Sequence, residues 1–371
     1  MTALLALTFI LTAFSACGKK SVTDGVESTE EELRVVGTIG DYEVCFDELR
    51  YVALSCKDIM AVKYGEDIWA TEESASKYED ELKAMVMERI TANYAVFDLC
   101  EQYGYNDVLS NKDVIKDVDN TIDLLLYEYA TYSGIDVTVT EGIGGNIKYK
   151  YESGGLKKVY KYFREDLADA YLTERVMRIT LGAEYAFEVL VNILTVGENK
   201  VIFLEEDVNE FMHSDDFICT RHILIQNDPG ESIEDNRKKA EEALQLYKDG
   251  TPMYKLIGSL YNDDVTTPYE GSYFTKGEME EAYENAAFAL EVGEVSGIVE
   301  GEDGFYIIER CEKSEDYMEA NFETFADQIT YAMVNNIVRE HQEKLSLTLN
   351  DFGNSIVFHS IPTTRVEKEE K

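Results

Sequence analysis

Apolar residues recur along this chain at two periods, and the change of period divides it. Val35-Val36-Gly37-Thr38-Ile39-Gly40 reads as a short strand and turn. Phe46, Leu49, Val52, Cys56 and Ile59 then recur at helical spacing. Leu82, Val86, Ile90, Tyr94 and Phe97 form a second helical face that stops near Gly104, and a third helix is expected from about Asn111 to Tyr132. Ile135 to Gly155 is glycine-rich and reads as irregular. Within it, Gly142-Ile143-Gly144-Gly145 lacks the strand–turn–helix setting of a phosphate loop and reads as a plain loop. Helices resume from Leu156 to about Leu194, and Asp207 to His213 predicts a short one.

From Asp216 the period drops to two. Phe217-Ile218-Cys219-Thr220-Arg221-His222-Ile223-Leu224-Ile225 alternates, is rich in β-branched residues and predicts a strand. A helix follows over Ile233 to Lys248, with Ser232 as N-cap and Gly250 as its stop. Met253 to Leu260 and Glu280 to Leu290 read as shorter helices. Ser296 to Glu300 and Phe305 to Arg310 read as strands joined through Glu302-Asp303-Gly304, where Asp-Gly favours a tight hairpin. The order β-α-α-α-β-β gives a small α+β unit with an at least partly antiparallel sheet. Beyond Asp316, the residues Phe322, Phe325, Ile329, Met333 and Ile337 share one helical face, which must bury itself. Its expected partner is the helical region before residue 214. The small unit is then an insertion in a mainly helical domain built from both ends of the chain.

Charge narrows the function classes. Among 371 residues, 74 acidic against 34 basic side chains give a net charge of −40. Such a surface repels nucleic-acid phosphates, so no nucleic-acid partner is expected, and it favours solubility. Cys45, Cys56, Cys100, Cys219 and Cys311 are spread widely without a CxxC, which argues against zinc; neither metal nor cofactor is expected. Ala3 to Ala13 is almost wholly apolar, too short to span a bilayer as a helix, and fits the core of a secretory signal. Phe14-Ser15-Ala16-Cys17 follows. Small residues before a cysteine resemble a bacterial lipoprotein signal, which implies removal of residues 1–16 and a lipid anchor on Cys17. An ordinary cleaved signal with an incidental cysteine is the alternative. No Lys or Arg precedes the apolar run, and Phe14 stands where lipoprotein signals carry an aliphatic residue. Gly18 to Arg34 is polar, lacks aromatics and reads as a tether.

Five blocks in the α+β segment then carry a family resemblance. Arg221-His222-Ile223-Leu224-Ile225 resembles the opening strand of parvulin-type peptidyl-prolyl cis/trans isomerases. Leu260-Tyr261-Asn262-Asp263-Asp264 is similar to the family's Tyr-Ser-Asp-Asp segment. Tyr273-Phe274-Thr275-Lys276-Gly277-Glu278-Met279 is similar to its aromatic–x–x–Gly–x–Met segment. Ala286-Ala287-Phe288-Ala289-Leu290 through Gly293-Glu294-Val295-Ser296 follows its Ala-Ala-Phe-x-Leu…Gly-Glu-x-Ser signature, and Gly304-Phe305-Tyr306-Ile307-Ile308 its closing strand. The whole arrangement resembles PrsA-type extracellular lipoprotein foldases and, more distantly, SurA-type chaperones. The resemblance implies a signal peptide over 1–16, a lipidated Cys17 with tether over 17–34, and a helical chaperone domain over 35–214. It further implies an isomerase domain over 215–313 and a C-terminal helix with a short tail over 314–371, packed on the helical domain.

The resemblance also assigns roles. Phe274, Met279, Tyr283 and Phe288 would line a cup for the proline ring; on the residues alone they read equally as core. His222 would sit on the sheet floor as a structural histidine in a polar network. Asp264 would stand near the substrate carbonyl. Tyr306 occupies the position of the family's second histidine, where it can still donate and accept a hydrogen bond. Gly271-Ser272 replaces the family's Leu-Gly, which removes one aliphatic wall of the cup. No basic cluster is present that would select phosphorylated substrates. If opening and closing strands are antiparallel neighbours, as in parvulins, Cys219 and Cys311 lie near one end of the pair on the face opposite His222, where a disulfide is feasible outside the cell. The implied function is isomerisation of X-Pro bonds in unfolded exported proteins, on the outer face of the cytoplasmic membrane. A holdase chaperone with a weakly active isomerase unit is the other reading.

Overall fold

The computed structural model describes residues 30–105, 108–141, 147–159, 173–196, 200–202, 205–227, 232–257, 270–301 and 303–362. The signal segment, Cys17, most of the tether, the Gly142–Gly145 loop and the Leu260–Asp264 block lie outside them. One compact unit spans 194–335. The other is assembled from the chain on both sides of it, up to residue 193 and from residue 336.

The two-ended unit is mainly helical. Strand β1 (Val35–Ile39) pairs antiparallel with β2 (Tyr42–Cys45) on one side and with β9 (Thr348–Leu349) on the other. Helix α1 (Phe46–Tyr64) opens on Asp47 and Glu48 and closes on Lys63, charges that suit the two poles of a helix dipole. Helices α2 (Glu79–Gln102), α3 (Lys112–Tyr132) and α4 (Glu174–Thr195) follow. Val118, Ile122 and Leu126 of α3 pack with Val176 and Leu181 of α4 in one core. In the same unit His341 Nε2 lies 2.6 Å from Asp98 Oδ2, and Gln342 Nε2 donates to the Glu88 carbonyl.

Two expectations change here. The stretch read as irregular contains a hairpin, β3 (Val137–Glu141) and β4 (Ile147–Tyr151), with Val139 opposite Tyr149. Both strands alternate, and Val137 and Tyr151 rest on the helical core; the high glycine count masked that period. The tether ends earlier than Arg34. Glu32 is buried, pairs with Arg50, and its carbonyl accepts the Asp47 N–H at 2.9 Å. Polarity alone marked it as free chain, but an ion pair and a helix-start hydrogen bond hold it.

Asp47 and Glu48 also anchor a buried charged knot. Arg175 Nη1 donates to Asp47 Oδ1 at 2.8 Å, and Thr173 Oγ1 donates to Asp47 Oδ2 at 2.9 Å. Tyr94 donates to Glu48 Oε2 at 2.9 Å, with Arg175 3.6 Å from the same oxygen. Burial pushes the Glu48 carboxyl up to about 7, although Arg175 and Tyr94 pull it down.

The 194–335 unit is built on an antiparallel sheet of order β6-β5-β8-β7. Its elements are α5 (Glu206–His213), β5 (Phe217–Gln226), α6 (Ile233–Lys248), β6 (Ser272–Thr275), α7 (Glu281–Ala289), β7 (Val299–Glu300), β8 (Gly304–Cys311) and most of α8 (Phe322–Gln342). Ser232 accepts the Asp235 N–H and caps α6. Strand β6 was not foreseen, because four residues carry no readable period. Strand β5 feeds three cores. Ile218 and Leu224 face Phe274, Tyr283 and Tyr306. Their odd-numbered neighbours point the other way: Phe217 and Cys219 meet Tyr273, Cys311 and α8, whereas Ile223 and Ile225 meet Ala240 and Ala243 of α6.

The apolar stripe of α8 thus has two kinds of partner. Phe325 and Ile329 pack on Val208 and Met212 of α5 and also on the rear of the sheet through Phe217 and Tyr273. A sheet with helices on one face needs cover on the other, and α8 supplies it. Cys219 and Cys311 are register partners on that rear face, opposite His222, and both thiols are free. The Arg310 N–H and carbonyl bond Glu294 and Gly293, away from β5, so its neighbour Cys311 bonds toward β5. Side chains of such a hydrogen-bonded pair stand roughly 5.5 Å apart at Cβ, against about 3.8 Å in a disulfide.

Candidate active site

The cup face of the sheet follows from parity. Counting by twos along β5 gives Ile218, Thr220, His222 and Leu224; across the β5–β8 register, His222 meets Ile308 and Leu224 meets Tyr306. Helix α7 lies over this face and delivers Tyr283 and Ala287 into it, with Phe288 half-buried beside them. Met279, just before α7, joins the same cluster. Phe274 of β6 meets Phe288 edge-on, ring centres 5.8 Å apart. Phe274, Met279, Tyr283 and Phe288 therefore converge on one apolar cluster with Tyr306. Asp264 is outside the described residues.

The turn that carries Met279 is tied on three sides. Gly277 N–H donates to Glu284 Oε2, Thr275 Oγ1 donates to Glu278 Oε1, and Gln328 of α8 donates to Glu278 Oε2. Burial raises the Glu278 carboxyl, and these hydrogen bonds offset part of that. Lys276 closes the rim, its ammonium 5.1 Å from the centre of the Phe288 ring and 3.1 Å from Asp216.

Beneath the cup runs a chain of polar groups. The Tyr283 hydroxyl shares a hydrogen bond with His222 Nδ1 at 3.0 Å and another with Thr220 Oγ1 at 2.8 Å. His222 is 7% exposed and Thr220 fully buried. Tyr283 thus does more than line the cup, because its hydroxyl is the centre of the floor. Thr220 was missed by residue type, although its parity with His222 could have revealed it. Tyr306 enters differently from expectation. Its ring meets His222 edge-on at 5.6 Å and Tyr283 at 5.1 Å, but its hydroxyl turns outward to donate to Asp303 Oδ2 at 3.4 Å. Burial, followed by the charges of Glu280 and Asp303, holds this phenol well above its ordinary range, so it stays a neutral donor.

Gly271 explains the missing aliphatic wall. Its φ is +94°, and a Cβ there would lie 2.5 Å from Cys219 Sγ and 2.9 Å from the Thr220 carbonyl. The loop enters β6 so close to β5 that no side chain fits.

Residues 208–314 match the model of the PPIC-type PPIase domain. That segment is a parvulin-type domain. A curated relative of it is the peptidyl-prolyl cis-trans isomerase pin1 of Schizosaccharomyces pombe, 41% identical over 83 residues that cover 21% of this chain and 46% of the relative. Another is the foldase protein PrsA of Oceanobacillus iheyensis, 30% identical over 158 residues that cover 40% of this chain and 49% of the relative. Among solved structures, the parvulin of Nitrosopumilus maritimus is 33% identical, with 26% of this chain and 97% of that one covered and a TM-score of 0.22. The chain spans less than half the length of these curated relatives. Its fold is α+β, with the small sheet interrupting a mainly helical unit.

Proposed function

We propose that this chain is a peptidyl-prolyl cis/trans isomerase that speeds proline-limited folding of exported proteins. The observation that carries the reading is the meeting of Phe274, Met279, Tyr283 and Phe288 over the Thr220–Tyr283–His222 floor. The X-Pro amide rotates slowly because resonance holds it planar behind a barrier of ~18–20 kcal/mol. A thousandfold acceleration needs only about 4 kcal/mol of preference for the twisted state. No bond breaks. In that state the carbonyl is less polarised and the nitrogen more pyramidal, so an apolar cup for the ring with fixed polar groups around the carbonyl favours it. In this reading Met279, Phe288 and Phe274 grip the prolyl ring, Asp264 stands near the carbonyl, and His222 with Tyr283 keeps the floor rigid.

The clients are unfolded or partly folded chains with X-Pro bonds. The lipoprotein-like start at Cys17 supports a site of action on the outer face of the bacterial cytoplasmic membrane, held there by acyl chains. Among the described residues no helix is long and apolar enough to cross a membrane. The exchange of a second imidazole for Tyr306 favours one alternative, a holdase that binds clients without accelerating rotation. Refolding of a protein whose slow phase is proline isomerisation separates the two. An isomerase speeds that phase at substoichiometric amounts, and Asp264→Ala or Met279→Ala removes the effect. Suppressed aggregation with an unchanged rate, indifferent to both substitutions, would show the holdase.

A further inference from the structure

In the two-ended helical unit, the turn Phe358–Ser360 is gripped at both poles by oppositely charged side chains. At its start the Phe358 and His359 N–H groups donate to Glu79 Oε1 and Oε2, each at 2.8 Å. Glu79 is the first residue of α2. At its end the ammonium of Lys57, on α1, donates to the His359 carbonyl at 2.6 Å and to the Ile361 carbonyl. Phe358 is fully buried, with Lys83 Nζ 5.7 Å from the centre of its ring.

The His359 ring stands between two carboxylates, its side chain 6% exposed. Nδ1 lies 2.7 Å from Glu79 Oε2, and Nε2 lies 2.9 Å from Oε1 of Glu72, on the short helix Glu72–Ala75. An ionised carboxylate only accepts, so each ring nitrogen has to bring a hydrogen, and a neutral imidazole carries one N–H. Both contacts are therefore complete only for the imidazolium. The hydrogen bond to Glu72, with that to Glu79 behind it, outweighs burial and lifts the imidazole above its ordinary range. The charged groups that face the turn are Glu72 from the short helix, Glu79 and Lys83 from α2, and Lys57 from α1. Burial lowers Lys57 to about 8. A neutral amine still holds two N–H groups for its two carbonyls, so the proton on His359 is the one the grip depends on.

We propose that His359 is a pH-operated pin: with both ring nitrogens protonated it locks the 358–360 turn onto Glu72 and Glu79, and without the second proton the turn opens. The lone pair left on one nitrogen then faces a carboxylate oxygen. Opening uncovers the socket of Phe358 and the Lys57–Glu79 pair that holds the backbone of the turn. The folded value lies above the unfolded one, so this locking is whole below about 6.5 and is lost as pH rises through the higher folded value. The device is independent of the isomerase reading.

The test follows amide hydrogen exchange at Phe358 and His359 in the full chain, corrected for free-chain exchange and referred to interior amides of α2. Relative protection is expected to fall about tenfold between pH 6 and pH 8, as one pKa unit of coupling gives. His359→Gln should show the low value at both pH values. Glu72→Gln should keep protection at pH 8, because an amide can donate to the bare ring nitrogen as well as accept from a protonated one. Glu72 is 81% exposed, so this variant keeps the fold and reports even if His359→Gln does not. The His359 ring signals, assigned through His359→Gln or, failing that, by their shift in Glu72→Gln, should titrate above 6.5 and move down in Glu72→Gln. Protection that does not change with pH, a ring midpoint at or below 6.5, or a Glu72→Gln that loses protection as the wild type does would each overturn the proposal.

Discussion

The two units bury polar groups in opposite ways. The helical unit encloses formal charge: Asp47 and Glu48, 0% and 1% exposed, face Arg175, with Tyr94 and Thr173 completing the hydrogen bonds. The 194–335 unit joins its buried polar groups through hydroxyls, in the chain Thr220–Tyr283–His222. Buried charge is costly to desolvate and severe to break, whereas hydroxyl hydrogen bonds hold orientation at lower stake. The helical unit carries a buried carboxyl, Glu48, that responds to acidity. The floor of the cup is joined by hydroxyls, which keep their protons over the physiological range.

Arg175→Met puts the largest strain on that contrast. It leaves two buried carboxylates facing each other without their cation, and a loss of about 3–5 kcal/mol is expected in chemical denaturation of the helical unit. A near-neutral result would mean the knot is solvated and the contrast false. The pH profile comes next. Glu48 is raised in the fold from 4.5 to about 7, so the folded state keeps its proton where the unfolded chain has lost it. Stability should therefore be greatest below about 4.5, as far as this group is concerned, and fall as pH rises toward about 7. Glu48→Gln should flatten that slope in denaturation midpoints taken across the window; an unchanged slope would assign it to other groups.

Tyr283→Phe tests the hydroxyl-joined side. It keeps the cup's ring but removes the hydroxyl shared by His222 and Thr220, and kcat/KM is expected to fall about tenfold with the fold intact. Full activity would show that the floor needs no hydroxyl. The smallest effect is expected at Cys219 and Cys311. Their hydrogen bond raises the Cys219 thiol and lowers that of Cys311, and both are free. Alkylation after denaturation without reductant should label both, and oxidising conditions should leave the midpoint unmoved. A mass short by two hydrogens would prove a bridge.

The long periodic segments were readable from sequence: the faces of α1, α2 and α3, the alternation of β5, and the α6 start at Ser232 all appear where their spacing predicts. So was the gathering of Met279, Tyr283, Phe288 and Phe274, through the resemblance of their motif blocks to the family's. Four things were not. The β3–β4 hairpin hid behind glycines, and β6 is too short for a period. The direction of the Tyr306 hydroxyl is set by its hydrogen bond to Asp303, a contact that no periodicity marks. Gly271 looked like a lost wall; only the proximity of Cys219 shows why no side chain can stand there.

The pairing of β1 with β9 has a consequence for biogenesis. A ribosome releases Val35 early and Leu349 some three hundred residues later, so the host unit lacks its outer strand until residue 349 has been made. The stretch 194–335 is continuous and needs nothing made after it to close its own sheet. Synthesis would therefore deliver a closed small sheet while the flanking body still waits for β9.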